Sequence, residues 1–374
     1  MRIGEISMNI NTRACNYGSI LHSWAFQYYL KKYEKIETVE TINYVRKDLE
    51  KWNRKFPAIE WIRRGKPKRF IRQIIGYPAY RKRLKKVDRF ISNNMSISER
   101  KYIQSDLSKG KLDYDILVAD SDTIWAPRGD GSFDDGYFLN LPAMKGIKKI
   151  SYAPSMGNAQ LSDEQKEKVG PLLSDFSHIS CRETYERELL ISCINREVFK
   201  VLDPVLLVPR KDWESLIHNN YQGKKHRGYV LIYQPVDMSK ALEECALNYS
   251  KNHDLELIKI TIADVKKTRK GNQNVINDCS PEEFLYLANN AEAIFTNSFH
   301  MICFSVLFEK DFYAFSRKDD RKVVDICRIM GLENRFYKTT EEYKESFINY
   351  EEVKKNLMPQ IQESKRWLHE AIYS

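Results

Sequence analysis

Ala288 to Phe308 (ANNAEAIFTNSFHMICFSVLF) is the stretch that most narrows the choice of fold. It reads as the end of one helix, a short apolar strand (Ala293, Ile294, Phe295), a polar turn (Thr296-Asn297-Ser298) and a new helix opening near Phe299-His300. A strand that hands the chain straight to a helix belongs in an α/β sheet. The carboxyl ends of such strands face a crevice, and a helix amino end offers free N–H groups and partial positive charge. On spacing alone, Ser298 is an N-cap and His300 a first-turn residue touching a neighbouring loop.

The same unit recurs. Arg2 to Met8 reads as a strand, followed by a polar turn and a helix from Tyr17 to about Tyr33, with Asn16 as N-cap candidate and Gly18 open to close approach by a ligand. The GxGxxG fingerprint is absent, so the turn gives no sign of a dinucleotide. Further strands read at Ile36–Tyr44, Ile116–Ala119, Lys149–Ala153, His178–Cys181 and Glu197–Leu202, the last closed by Asp203-Pro204. Residues 209–227 read as a polar linker. A second series follows at Tyr229–Tyr233, Leu255–Ile260, Ala293–Phe295 and Phe312–Phe315, with a polar loop over 264–274 and a helix opened by Ser280-Pro281-Glu282-Glu283. The expected architecture is α/β: two Rossmann-like domains facing across a cleft, a GT-B-like arrangement. They span 1–208 and 228–345, and a terminal helix in 346–374 packs back on the first.

With 374 residues the chain has enough length for two cores. No apolar run approaches a bilayer's thickness. The opening MRIGEISMNINTRACNYG lacks a secretory signal's apolar block, which predicts a cytoplasmic chain. Seven scattered cysteines, without a CxxC or a Cys/His cluster, argue against a disulfide framework and a zinc site. The net charge of +10 is concentrated: Lys51 to Arg89 holds fifteen Lys or Arg and two acids, which leaves the rest of the chain at −3. This segment belongs to a basic insertion at about 45–100. Within it Arg69–Ile75 (RFIRQII) reads as a short basic amphipathic helix, suited either to an anionic membrane surface or to packing on its own domain. No nucleic-acid motif accompanies the charge, so nucleic acid is not expected as a partner.

Four loops fall at expected strand ends of the first domain: Asn16-Tyr17-Gly18, Asp120 to Trp125 (with Ser121 and Asp122), Ser155 to Gly157, and Cys181-Arg182-Glu183. The second domain offers Asn297-Ser298-Phe299-His300 and the cations Arg317 and Arg321. If the domains face each other these sets meet. An Arg-lined cleft with one His and one Asp suits a small anionic substrate, since Arg grips carboxylate or phosphate, His moves protons near neutral pH, and Asp orients or deprotonates a hydroxyl. Each also has an ordinary reading: Arg182-Glu183 as a helix-end ion pair, Arg317 to Arg321 as an exposed loop, Trp125 as core.

Taken in order, these segments resemble the polysaccharide pyruvyl transferase family. The resemblance runs through Cys15-Asn16-Tyr17-Gly18-Ser19, Ser121-Asp122-x-x-Trp125, Tyr137-Phe138-Leu139, Ser151-Tyr152-Ala153-x-Ser155-x-Gly157, Ile179-Ser180-Cys181-Arg182-Glu183, Val201-Leu202-Asp203-Pro204 and Asn297-Ser298-Phe299-His300. It implies a GT-B-like fold and transfer of an enolpyruvyl unit from phosphoenolpyruvate to a sugar of a capsular or exopolysaccharide precursor. The product is a pyruvate ketal. The expected acceptor is lipid-linked, of the undecaprenyl-diphosphate type, at the inner membrane face. The chemistry then assigns His300 as general acid/base or phosphate ligand, Arg182 as anion clamp and Asp122 as base or orienter of the acceptor hydroxyl. Asn16, Tyr17, Gly18, Ser121, Trp125, Ser155, Asn297, Ser298, Arg317 and Arg321 are expected to bind substrate. No cofactor or metal is called for, phosphoenolpyruvate being the donor substrate. Some relatives carry Arg-Leu-His where this chain has Ser298-Phe299-His300, so either the role of that Arg passes to Arg317 or Arg321, or the donor differs. Two alternatives stand beside this reading: a nucleotide-sugar glycosyltransferase of the same architecture, and a non-catalytic scaffold for glycan assembly.

Overall fold

A computed structural model describes the chain except for residues 8–15, 47–57, 64, 221–225, 227, 236–237, 263–272 and 317–319. Two six-stranded sheets, parallel throughout, organise it. The first contains β1 (Arg2–Ile6), β2 (Thr38–Val45), β3 (Ile97–Ile103), β4 (Ile116–Asp122), β5 (Lys148–Pro154) and β6 (Phe176–His178) in the order β3-β2-β1-β4-β5-β6. A two-stranded ribbon, β7 (Ser180–Cys181) with β8 (Phe199–Lys200), follows it. The second sheet repeats the same order with β9 (Tyr229–Tyr233), β10 (Glu256–Ile260), β11 (Gln273–Ile276), β12 (Ala293–Thr296), β13 (Asp311–Phe315) and β14 (Phe336–Tyr337), arranged β11-β10-β9-β12-β13-β14. The fold is thus α/β, with two Rossmann-like, GT-B-like halves. Each sheet has its switch point where the strand order reverses, between β1 and β4 and between β9 and β12, and that is where such sheets open a crevice.

The central strands are apolar runs because helices cover both faces; all of β9 and β12 is buried. The capping signals act as the sequence suggests. Ser280 caps the helix Pro281–Asn290 in a reciprocal box with Glu283, and Gly331 ends Arg321–Met330 at φ +70°. The first helix, Tyr17–Leu30, is buried nearly all round because it serves two cores. Tyr17, Ile20, Leu21 and Trp24 join the second half's cluster around Phe284 and Phe304, while Phe26 and Leu30 pack under the first sheet. The terminal helix Tyr350–Tyr373 also spans both: Leu357 and Ile361 meet the second half, and Trp367 and Leu368 lie with Ile3 and Ile116.

Three local readings change. Ile97–Ile103 is an edge strand of the first sheet rather than the end of an insertion; its exposed face carries Glu99 and Lys101, which hides the alternation. The helix containing Arg69–Ile75 runs from Pro67 to Asn94, straight through Pro78. Much of 209–227 is a helix, Arg210–Asn220, anchored by fully buried Trp213. No helix among the described residues is long and apolar enough to cross a membrane.

Candidate active site

The two switch points face each other, and the first helix lies between them. Asn16 caps that helix, its side chain accepting from the Gly18 N–H at 3.2 Å. Ser19, His22 and Ser23, at i, i+3 and i+4, form a buried polar stripe on a mostly apolar helix. Ser19 donates from Oγ to Asp122 Oδ2, His22 Nδ1 lies 3.1 Å from Asp120 Oδ2, and Ser23 donates to Ser7 at 2.7 Å. Asp122 ends β4 in the left-handed region, at φ +67°, an uncommon conformation for a residue with a side chain. Such strain is kept where the surroundings fix it; here the Ser155 N–H donates to the Asp122 carbonyl at 2.8 Å and the Thr123 N–H to its carboxylate, also at 2.8 Å.

Asp203 is the hub. Its Oδ2 accepts from Arg182 Nη1 at 2.8 Å and Ser121 Oγ at 2.9 Å, and lies 3.4 Å from His300 Nε2. Arg182 turns its other edge to Glu183, Nε to Oε1 at 2.9 Å, and the Phe299 ring covers its face at 4.2 Å. Phe299 therefore stacks on the guanidinium next to His300, a cation–π contact. His300 comes from the second half, on the helix Phe299–Leu307, which Ser298 caps by accepting from the Met301 N–H at 3.3 Å. Its ring stacks near-parallel on His22 with centroids 5.8 Å apart.

Charge follows from this packing. Burial alone would raise the Asp203 and Asp122 carboxyls; the neighbouring His300 and the Arg182 guanidinium override it and hold both well below the usual carboxylate range. Burial lowers His22. The fully buried Asp120 and Glu5, which interact with each other, are pushed well up by burial. Two ionised carboxylates thus serve His300, while a pair that favours its protonated form lies behind His22.

Of the residues singled out in the sequence, Ser121, Asp122, Arg182, Ser298, Gly18 and His300 come together. Gly18 makes room for a protein group, not a ligand: a Cβ there would lie 2.2 Å from His300 Nδ1. Gly18→Ala is expected to displace the imidazole, lowering stability by about 1–3 kcal/mol and turnover roughly a hundredfold; thermal melts and turnover assays check both. Trp125 is core: it is fully buried, stacks on Phe138 at 5.2 Å and donates from Nε1 to the Tyr137 carbonyl. Tyr17 is likewise buried, donating across the halves to the Cys279 carbonyl at 2.9 Å and stacking on Phe284, so it joins domains rather than lining a cleft. Ser155 is fully buried, its Oγ accepting from the Gly157 N–H, and Asn297 is buried in its turn. Arg317 lies outside the described residues.

Beside this cluster opens a cleft of about 650 Å³ between the halves, lined by Asn158, Glu183, Tyr185, Arg321, Arg328 and Lys338 among others. Arg321 stacks over Tyr185 at 3.8 Å, and its buried Nη1 has no hydrogen-bond partner among the described residues. The void next to Arg182 measures only about 10 Å³, room for about one water. Among the described residues no three His, Cys, Asp or Glu side chains form a metal-binding group. The sequence reading missed His22, Ser19 and Asp203. The first two were detectable as a polar stripe interrupting an apolar helix.

No curated protein matches the sequence. Solved structures similar to the chain include a UDP-GlcNAc 2-epimerase from Methanocaldococcus jannaschii (12% identity, TM-score 0.45, covering 96% of this chain and 93% of that one). Another is the ADP-heptose LPS heptosyltransferase II of E. coli (12% identity, TM-score 0.37, covering 98% and 100%). One family profile, described as Polysaccharide pyruvyl transferase, matches residues 16–319. That match starts at the cap of the first helix and ends beyond the helix that carries His300. It takes in the whole cluster around Asp203 and stops just short of Arg321, and since it covers most of the chain, the chain belongs to the polysaccharide pyruvyl transferase family and is a transferase.

Proposed function

We propose that the cleft moves the enolpyruvyl unit of phosphoenolpyruvate onto two hydroxyls of one sugar in a lipid-linked polysaccharide precursor, of the undecaprenyl-diphosphate type, forming a pyruvate ketal. The observation that carries this reading is the layout of charge: a His held against ionised Asp203, beside a cleft in which a buried Arg321 nitrogen has no partner among the described residues. His300 supplies the proton that the C2=C3 π electrons take up at C3, leaving C2 electron-poor. One sugar hydroxyl adds to C2 and loses its proton, with Asp122 as base or orienter. The C2–O bond to phosphate breaks with its electron pair, and the second hydroxyl closes the ring. One proton enters at C3 and two leave the hydroxyls; one of these departs on phosphate and the other restores His300.

Arg321 is suited to grip the donor's phosphate or carboxylate bidentately. Arg182, already paired with Glu183 and Asp203, acts as a positioning residue that holds Asp203 against His300. This chemistry calls for no redox cofactor. Incubation with phosphoenolpyruvate and a lipid-linked glycan should release inorganic phosphate and add a pyruvyl mass to the acceptor. Turnover of a nucleotide sugar with neither phosphate release nor that mass gain would overturn the reading. Arg321→Met should raise KM for phosphoenolpyruvate about tenfold or more, as loss of a charged hydrogen bond requires, with a smaller effect on kcat.

A further inference from the structure

The helix Pro67–Asn94 has two unlike halves. From Tyr80 onward it is bolted down: Tyr80, Arg83, Val87 and Phe90 form a buried stripe at helical spacing. Arg83 donates to the Asn277 carbonyl at 2.7 Å, and Lys86 pairs with Glu283 at 3.1 Å. Before Pro78 the same helix projects outward. Ile71, Ile74 and Ile75 are 54%, 46% and 65% exposed and share one face; Ile62, on the adjoining helix Ala58–Arg63, is 52% exposed. Four of the eight exposed large apolar side chains among the described residues fall in these fourteen positions, so the patch is local and not a general surface property. Lys66, Lys68 and Arg69 are exposed around it, and Arg69 lies over the Trp61 ring at 4.8 Å. Residues 62–75 carry six Lys or Arg and no acid.

We infer that this projecting end is a docking surface for an anionic lipid bilayer, with the isoleucines entering the headgroup boundary and the cations meeting lipid phosphates. Apolar side chains ringed by positive charge on an exposed helix end match that environment. A second copy of the chain is disfavoured, since a two-fold contact would press like charges together. Nucleic acid would leave the isoleucines without a role. The rigid second half of the helix, fixed to the helix that precedes β12, would hold the cleft at a set orientation to the membrane.

The test is co-sedimentation of the full chain with phosphatidylcholine vesicles with and without phosphatidylglycerol. Sedimentation does not depend on turnover, so it stands or falls separately from the donor's identity. Binding is expected only with the anionic lipid and should weaken as salt is added. Lys66→Glu/Lys68→Glu/Arg69→Glu should lower partitioning roughly a hundredfold or more, and Ile71→Ser/Ile75→Ser at least about tenfold. Unchanged melting temperatures would show that both variants fold, as exposed positions require. Equal binding to neutral vesicles, no binding at all, wild-type binding by both variants, or a dimer that the isoleucine variant dissociates would each overturn the inference.

Discussion

His300→Gln is expected to lower kcat for phosphate release about a thousandfold, inside the range that a positioned proton donor contributes, with little change in melting temperature. The asymmetry follows from the hub. His300 touches Asp203 only at 3.4 Å, while Arg182 and Ser121 hold the same oxygen at 2.8 and 2.9 Å. Removing the imidazole therefore leaves the carboxylate paired and the fold intact. Steady-state kinetics separate the two roles open to this ring. A proton donor at C3 acts in the transition state, so its loss falls on kcat and kcat/KM together; a mere phosphate ligand would raise KM with kcat preserved. A variant that keeps more than about a tenth of wild-type kcat would end the acid–base assignment.

How much of this was legible in the sequence depends on where the signal lies. Strands buried on both faces, such as Tyr229–Tyr233, announce themselves as apolar runs, and so the two-sheet architecture was readable. Edge strands are half-solvated and were not: Ile97–Ile103 alternates with charge, and Gln273–Ile276 adjoins a polar loop. For the cluster around Asp203, the strand-end rule points to Asp122, Arg182 and His300 because each lies at a strand end or a helix start. It missed Asp203, which looks like an ordinary Asp-Pro strand end. Only the three-dimensional meeting of Arg182, Ser121 and His300 shows its weight. It also mistook Gly18, whose missing side chain serves a histidine 282 residues further along the chain. The Arg expected at Ser298 is absent, and beside it the Phe299 ring covers a cation from the other half, Arg182. Contacts between halves are long-range facts that local spacing does not encode.

Asp203→Asn should be the most destabilising single change in the site, costing about 3–5 kcal/mol, because it leaves the buried Arg182 with half of its compensation. The urea midpoint should fall at unchanged slope. Pairing it with Arg182→Met tests the cause. If the cost is an uncompensated charge, the double variant loses less than the sum of the two singles; strict additivity would refute the coupling. The pH dependence provides a second check. Asp203 titrates below its unfolded value, so its contribution is complete above the ordinary carboxylate value near 4 and is lost as pH falls through the depressed folded value. The gap between wild type and Asp203→Asn should therefore be full at neutral pH and close only in strong acid. Glu5 and Asp120 work in the opposite sense: raised by burial, they stabilise fully below the ordinary value and lose that contribution as pH rises through their folded range. Asp203 is one of the charges that raise Asp120, so the comparison is made below the ordinary carboxylate value, where Glu5 and Asp120 are protonated in both proteins and contribute equally. A gap that widened on acidification would show that the hub is not the ionised Asp203 that His300 and Arg182 require.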